Sequence, residues 1–330
     1  MASDSKPEVT EISHMGTASG RPSFGSRVVA HFKRWWWVHL IILIVVILVI
    51  VLPVVYVAYP KIAQNLVNKS TLSVSKMVIS DPSPTSFILN QTNVIGTNSS
   101  FHPTFYSFAA AISLAGGAAF SQVQVPQFRS HNDVNVPIDQ RVNVTDQTAF
   151  AEFCKAVILS EEFEMNVYGK PNMKEGGLPT EGVTYNKTTT MKGLNKLSGF
   201  DLIDLSIDTS TSSGVNGKGT VYLPNPSVIS IAVGNLTLNL SVNNTAIGYA
   251  YIDDLVIRPG NNTVAMTAAI SELTVVGLLG GYPNYVIPVD ITGNSSVYDG
   301  QELPYIAEAL GSLTLTTQLN VTQALGSSSL

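Results

Sequence analysis

The chain has 330 residues, 45% of them hydrophobic and 12% charged, and its formal net charge at pH 7 is -5. Proteins that hold nucleic acid through its phosphates need many lysines and arginines, so this composition excludes a nucleic-acid partner. Cys154 is the only cysteine, and no disulfide can therefore form within the chain. The stability of the fold must come from packing alone.

Residues 1–34 begin with a stretch rich in serine, threonine, glycine and proline, which predicts a disordered tail. Ser23 and Ser26 lie close to Arg21 and Arg27 and are candidate phosphorylation sites. Phosphate there would weaken the attraction of the neighbouring basic residues to anionic lipid.

An uncharged run, LIILIVVILVIVLPVVYVA, occupies residues 40–58. Extended to 35–59, a helix of this length matches a hydrocarbon core of about 30 Å, and we expect a retained signal anchor. A cleaved signal peptide is the alternative, but its apolar core is about 7 to 15 residues long and lies near the start of a chain. Basic residues are more frequent before the run than after it, which predicts a cytosolic tail and a lumenal remainder.

The glycosylation pattern Asn-x-Ser/Thr occurs eleven times after the apolar run and never before it. This one-sided distribution indicates a lumenal, glycosylated surface. The alternative is that asparagine and threonine are simply common in turns and exposed strands. The predicted glycosylation sites are Asn68, Asn90, Asn98, Asn143, Asn186, Asn235, Asn239, Asn243, Asn261, Asn294 and Asn320.

Residues 235–243, NLTLNLSVN, alternate between aliphatic and polar side chains. A period of two indicates a strand with one buried face, and the three predicted glycosylation sites within this strand all fall on its polar face. Many similar stretches, separated by turn residues, favour an antiparallel β-sandwich. Further strands are predicted at 71–80, 86–90, 106–114, 119–126, 134–144, 163–168, 183–191, 201–207, 218–223, 227–233, 247–257, 262–270, 285–292 and 312–321.

The predicted fold class is mainly β, with an N-terminal transmembrane helix, two tandem antiparallel β-sandwich modules of the immunoglobulin or fibronectin type, and one or two short helices. The first module is placed at 60–208 and the second at 220–330. The stretch TSTSSGVNGKG at 209–219 has the composition of a linker between them.

Two predicted strands run into a similar turn, DPS at 81–83 and NPS at 225–227, and a weak internal repeat relates their surroundings. Aspartate or asparagine closes an Asx-turn, while proline fixes φ and removes the donor that a sheet needs. Each strand is therefore expected to end or to bulge there.

Residues 146–164 carry a helical pattern, with Asp146 or Thr145 as the expected N-cap. A buried place on this helix predicts that the Cys154 thiol acts as a small hydrophobic group. An interchain disulfide or a reactive thiol is the alternative. The apolar side chains that recur at the spacing of one helix face are Phe150, Phe153, Cys154, Val157 and Ile158.

The stretch 219–262 carries a strand that enters Asn225-Pro226-Ser227, a second, alternating strand, and, after Ile247-Gly248, a third that ends in Arg258-Pro259-Gly260. In these features the chain resembles the late-embryogenesis-abundant type 2 (water-stress and hypersensitive-response) domain. Together with the tail, the anchor, VSKMVISDPSPTSF and FHPTFYSFAAAISL, it is similar to a fungal family of single-pass, type II vacuolar or endomembrane glycoproteins.

The resemblance implies a seven-stranded antiparallel β-sandwich with an associated helix, held on one membrane span. It also implies a groove between the sheets that would hold lipid, and it brings no catalytic residues and no cofactor. The glycine-rich apolar segment VVGLLGGY at 275–282 departs from a simple sandwich strand.

Residues for catalysis are scarce, and no enzymatic activity is expected. Only His102 and His131 follow the anchor, so a metal site of histidine and cysteine ligands is hard to build. Either histidine could serve a Ser-His-Asp site, but the G-x-S-x-G motif is missing. Asp253 and Asp254 would point to opposite faces of a regular strand, whereas a glycosidase needs two carboxylates on one substrate.

These observations predict a non-enzymatic, single-pass membrane glycoprotein of the fungal vacuole or endomembrane system whose lumenal modules bind a lipid or a protein partner. The alternative is an adhesion or structural protein of the same topology in the plasma membrane, facing the cell wall.

Overall fold

The computed structural model describes residues 24–210 and 214–326, and the chain divides into two compact units, Met1–Ala58 and Tyr59–Leu330. The described part of the first unit, residues 24–58, is helical. Helix α1 spans Phe24–Pro53 and is followed by a π-helical turn, Val54–Ala58. Proline removes a backbone donor from the helix, and regular α-helical geometry gives way to the π-turn directly after Pro53.

Among the described residues, one helical stretch, Lys33–Lys69, is long and apolar enough to cross a membrane, and the apolar side chains from Leu40 to Leu52 are exposed. The prediction of one N-terminal apolar helix is confirmed. The end of the predicted disordered tail is wrong, because residues 24–34 belong to α1. Residues 1–23, including the candidate phosphorylation site Ser23, lie outside the described residues, and Ser26 lies in the first turn of α1.

The second unit is mainly β, as predicted, and contains five helices and nineteen strands among its described residues. The helices are α2 Tyr59–Lys69, α3 Gln147–Leu159, α4 Glu272–Leu278, α5 Pro304–Gly311 and α6 Val321–Leu325. The strands are β1 Thr71–Ser83, β2 Ser86–Gly96, β3 Thr104–Phe105, β4 Phe108–Leu114, β5 Ala119–Val125, β6 Phe128–Arg129, β7 Val134–Asn143, β8 Glu162–Gly169, β9 Asn172–Lys174, β10 Glu181–Gly182, β11 Tyr185–Lys192, β12 Asp201–Ile207, β13 Gly217–Asn225, β14 Ile229–Val242, β15 Thr245–Ile257, β16 Gly260–Ile270, β17 Val286–Tyr298, β18 Gln301–Glu302 and β19 Thr314–Asn320.

The first half of this unit contains a sandwich of two antiparallel sheets, and the short strands β10, β9, β3 and β6 form a third sheet. Strands β1, β2 and β7 form one wall, and β11, β8, β4 and β5 form the other in that order. The walls approach each other at both edges, where β11 contacts β1 and β5 contacts β7 through the Ser121–Val144 bridge. The apolar side chains of α3 contribute to the same core.

The second half is a curled sheet of seven strands in the order β12, β13, β16, β15, β14, β17, β19. Strand β14 lies inside this sheet and pairs with both β15 and β17. Leu236, Leu240 and Val242 are buried in the interior of this sheet, while Asn235 is exposed, which confirms the predicted alternation. The two halves share one sheet, because Met77–Ile79 of β1 pair in parallel with Ile229–Ile231 of β14.

Strand β12, which the sequence places in the first module, pairs with β13 of the second half. The predicted linker 209–219 therefore lies within and beside this hairpin, and its residues 211–213 are outside the described residues. The division into two modules with a boundary at this point stays a prediction.

The two predicted turns form as expected. Strand β13 ends at Asn225, whose side-chain oxygen accepts a hydrogen bond from Ser227 N at 2.9 Å in an Asx-turn. Strand β1 continues through Pro82 but loses register between Ser80 and Ser83, where Asp81 takes a φ of 45°.

The predicted helix is α3, but its predicted end at residue 164 is wrong, because α3 ends at Leu159 and β8 begins at Glu162. Asp146 caps α3, and its carboxylate accepts a hydrogen bond from Ala149 N at 2.9 Å. The Cys154 thiol is buried on its inner face, as predicted. Segment 275–282, which departs from the strand pattern, is helical, with α4 followed by 3-10 turns.

Candidate binding site in the second half

Two neighbouring cavities lie inside the curled sheet of the second half. They share Phe200, Leu238 and Ile291, and we call the pair the apolar slot. The first cavity is also lined by Leu197, Leu223, Leu236, Ile252, Leu255, Ile257, Gly293, Leu310, Leu313 and Leu315. The second is also lined by Leu202, Leu205, Val221, Leu240, Ile247, Ala250, Met266, Ile270, Val289, Thr317 and Leu319.

The slot is elongated along β14. Leu236 lines the first cavity, Leu238 lines both, and Leu240 lines the second. At about 3.3 Å per residue, these four steps of an extended strand give the slot a length of about 13 Å. The shape is that of a narrow channel parallel to a strand.

The chemistry of the lining is uniform. The lining includes no charged side chain, and its only side-chain polar group is the hydroxyl of Thr317. A charged or strongly polar ligand would lose its hydration without receiving hydrogen bonds, which costs several kcal/mol. The slot is therefore suited to an apolar chain alone.

A seam between β12 and β19 borders the slot. Within the described chain, β12 pairs only with β13, and β19 pairs only with β17. The two strands lie next to each other without forming a ladder, and α6 packs against β12. Side chains from both borders of the seam, among them Leu205 and Leu319, line the cavities.

Each cavity has a volume of about 30 Å³. Sites for drug-sized ligands measure roughly 300 to 1,000 Å³, so the slot is nearly filled by its own side chains. An apolar chain enters only if part of the lining moves.

A second cavity region of about 20 Å³ lies where α3 and α5 meet β1 and β14. Burial raises the pKa of the Cys154 thiol well above its usual range, so the thiol is protonated and unreactive at neutral pH. Tyr305 donates a hydrogen bond to Ser83 O at 3.0 Å, and Lys155 joins the helices through Glu308 at 2.7 Å. The region is a packed junction.

Helix α2 is fixed to β11 and the loop before it. The side-chain amide of Gln64 both donates to Thr184 O and accepts from Thr184 N, each at 2.8 Å. The buried Lys187 amine donates to the carbonyls of Asn68 and Ser70. The chain that follows the apolar helix is thus joined firmly to the β-unit.

The predicted glycosylation sites are all accessible. That they carry glycans stays a prediction. Nine of the eleven asparagines are exposed, and Asn90 and Asn239 are partly buried. Six of them, Asn68, Asn186, Asn235, Asn239, Asn261 and Asn320, accept a hydrogen bond through the side-chain oxygen, which leaves the amide nitrogen for a glycan. Asn294 differs, because its amide nitrogen donates to Asn239 at 3.1 Å.

The candidate catalytic residues are scattered. His102 and His131 are exposed, and no cluster of metal-ligating side chains occurs in the part of the chain that the structure describes. Asp253 and Asp254 were expected to point to opposite faces of a regular strand. The strand is not regular there, because a bulge and a φ of 46° at Asp254 leave both carboxylates exposed. Neither residue lines the slot.

Sequence reasoning found the buried face of β14 but missed α5, which supplies Leu310 to the slot. A signal was present in PYIAEALG: a proline in the first turn, then Ile306, Ala309 and Leu310 at helical spacing. The role of Phe200 had no local signal, since it depends on how β12 pairs.

These features define the class of the protein: a membrane-anchored, β-rich protein with one N-terminal apolar helix. Residues 118–240 match the family model described as "Protein of unknown function (DUF3712)". The match runs from the start of β5 into β14 and includes the β12 border of the slot. No curated protein sequence matches the chain significantly.

Several solved structures align with much of the chain at low similarity. Red sea bream transglutaminase shares 11% identity over 76% of this chain and 31% of its own, with a TM-score of 0.23, so the chain spans about a third of that protein. The periplasmic chaperone SfaE shares 11% identity over 75% of this chain and 98% of its own, with a TM-score of 0.18. A bacterial adhesin from Mobiluncus mulieris shares 7% identity over 74% and 84%, with a TM-score of 0.19. These scores support no inference about function.

Proposed function

We propose that the protein is a non-enzymatic membrane glycoprotein whose β-unit binds the apolar chain of a lipid in the slot. The single observation that carries the proposal is the elongated, uncharged lining from Leu236 to Leu240 beneath an unpaired seam. An acyl chain needs no hydrogen bonds and gains about 0.8 kcal/mol for each methylene that it buries. A membrane anchor ties the β-unit to a membrane, and membrane lipids carry such chains.

The experiment is mass spectrometry of the full chain purified from membranes in mild detergent, followed by binding of a pyrene-labelled fatty acid after delipidation. We expect a co-purifying lipid and saturable probe binding. Leu238→Phe and Ile291→Phe, which fill the shared part of the slot, should each weaken probe binding. Thr237→Phe on the opposite face of β14 is the matched control. Failure to retain lipid and to bind the probe would overturn the proposal.

The cellular location and the membrane orientation of the protein are part of the same proposal. The resemblance to the late-embryogenesis-abundant type 2 domain and to fungal type II glycoproteins supports a vacuolar or endomembrane location with the β-unit in the lumen. The eleven accessible acceptor asparagines support this orientation. Glycosidase treatment should increase the electrophoretic mobility of the protein, and an unshifted band contradicts a lumenal β-unit. A tagged protein confined to the plasma membrane contradicts the vacuolar location and favours the adhesion alternative.

A protein partner is the second candidate, and one surface favours it. Leu273 on α4 is 85% exposed, and Val276 and Tyr285 nearby in sequence are about half exposed. Leu273 and Val276 lie three residues apart on α4 and so share one face of this helix, and neighbouring exposed apolar groups are typical of interaction sites. Leu273→Asp should abolish capture of a partner by cross-linking in membranes and leave fatty-acid binding unchanged.

A further inference from the structure

We propose that Phe200 and β12 form a movable strap that gates the apolar slot. This inference rests on the proposed function and concerns the regulation of the same site. The slot is too small for an acyl chain as it stands, so one of its borders must move. The residues of the strap that fill the slot are Phe200, Leu202 and Leu205.

Helix α6 packs against the strap, yet the strap is less secured by strand pairing than its neighbour β13. Within the residues that the structure describes, β13 is paired on both edges, whereas β12, like β19, has a strand partner on one edge only. That single ladder loses register between Leu202 and Asp204. Along β12 only Ile207, its last residue, is fully buried. The three residues that plug the slot are themselves only partly buried.

The chain before the strap has the geometry of a hinge. Asn195, Lys196 and Leu197 take φ values of 49°, 55° and 54°, a left-handed run that residues with a side chain rarely adopt. Gly199 follows with a φ of 92°. Backbone held in such conformations is found at segments that switch between two arrangements, because rotation at few residues moves the element beyond them.

Contact between the strap and β13 depends on a glycine. A Cβ atom at Gly219 would lie 2.4 Å from Asp204 O, so any side chain there must push the strap away from β13. The pairing of β12 with β13 also allows the strap to be fixed in place by an engineered disulfide, which we call the lock. Asp204 and Thr220 are cross-strand partners on β12 and β13, and paired cysteines at such positions come within reach of a disulfide.

The experiment uses the full chain and the pyrene-labelled fatty acid. In Asp204→Cys/Thr220→Cys, oxidation should slow probe uptake by at least about tenfold, which corresponds to about 1.4 kcal/mol, and reductant should restore it. Lys218→Cys/Thr267→Cys joins β13 to β16 in the same sheet and is the matched control, with no expected effect on uptake. Conversely, Gly219→Ala should accelerate uptake and should raise amide hydrogen exchange in β12 more than in β14.

The outcomes separate the two proposals. If the reduced variants and the native chain bind no probe, lipid binding itself is wrong. If they bind it and the oxidised lock takes it up at the same rate, the slot is a lipid site but β12 is not its gate. Gly219→Ala provides the independent check, since faster exchange in β12 without faster uptake would also overturn the gate.

Discussion

Leu238 occupies the one point of β14 at which both cavities meet, and its truncation tests whether the slot is a packed part of the core. The change Leu238→Ala removes three carbon atoms. Each of them contributes about 0.8 kcal/mol of burial free energy when it is fully buried. Leu238 is partly buried, so we count about 1.5 kcal/mol for this loss. The removed atoms leave a gap of roughly 60 Å³, which adds about 1.4 kcal/mol at 24 cal/mol per Å³. The expected loss of unfolding free energy is about 3 kcal/mol.

The assay is urea denaturation of the β-unit in the full chain, with Thr237→Ala on the opposite face as the control that should change stability by less than about 0.5 kcal/mol. The enlarged slot should also accept an apolar ligand more readily. An apolar compound at about 100 times its Kd would restore about 2.7 kcal/mol. A loss below about 1 kcal/mol, with no recovery on adding an apolar compound, would refute the packing that we describe.

Three further predictions concern the frame around the slot. In Gly248→Ala, a Cβ 2.0 Å from Ala269 O should cost about 3 kcal/mol or more of stability in thermal unfolding, because both atoms belong to rigid strands. Replacement of Lys187 by methionine leaves the carbonyls at the end of α2 without their charged donor. This change should lower the unfolding free energy by about 2 kcal/mol, and amide hydrogen exchange should become faster in α2 but not in β14. Burial raises the pKa of the Tyr305 hydroxyl in the folded state above its unfolded value near 10. The hydroxyl therefore ionises first in the unfolded chain, so the unfolding free energy is unaffected by ionisation of Tyr305 below about pH 10 and falls as the pH rises above it. Tyr305→Phe should therefore flatten the fall in unfolding free energy measured between about pH 10 and pH 12, and an unchanged slope would contradict this role.

The strands were largely predictable from the sequence because their signals are local. An alternating pattern between turn residues is enough to place β14 and to orient Leu236 inward. The turn at Asn225-Pro226-Ser227 was predictable for the same reason, since an Asx-turn needs only neighbouring residues.

Partner choice was not predictable, because it depends on contacts between distant parts of the chain. Nothing in DLIDLSI shows that β12 pairs forward with β13 rather than with a strand of the first half. The bulge at Asp254 likewise turns both carboxylates outward through an interaction with Asn235, nineteen residues earlier. The slot follows from such pairings, and only the buried face of β14 was visible in advance.

The parallel pairing of β1 with β14 joins two strands that the ribosome synthesises at different times. Met77 opposes Ile229, a separation of 229 - 77 = 152 residues. At about 5 to 20 residues per second, roughly 8 to 30 s pass between synthesis of the two partners. During that interval the edge of β1 from Met77 to Ile79 stands open, and open edges recruit other strands. We therefore expect the nascent chain to require a chaperone until β14 emerges, and truncations that end before residue 229 to aggregate.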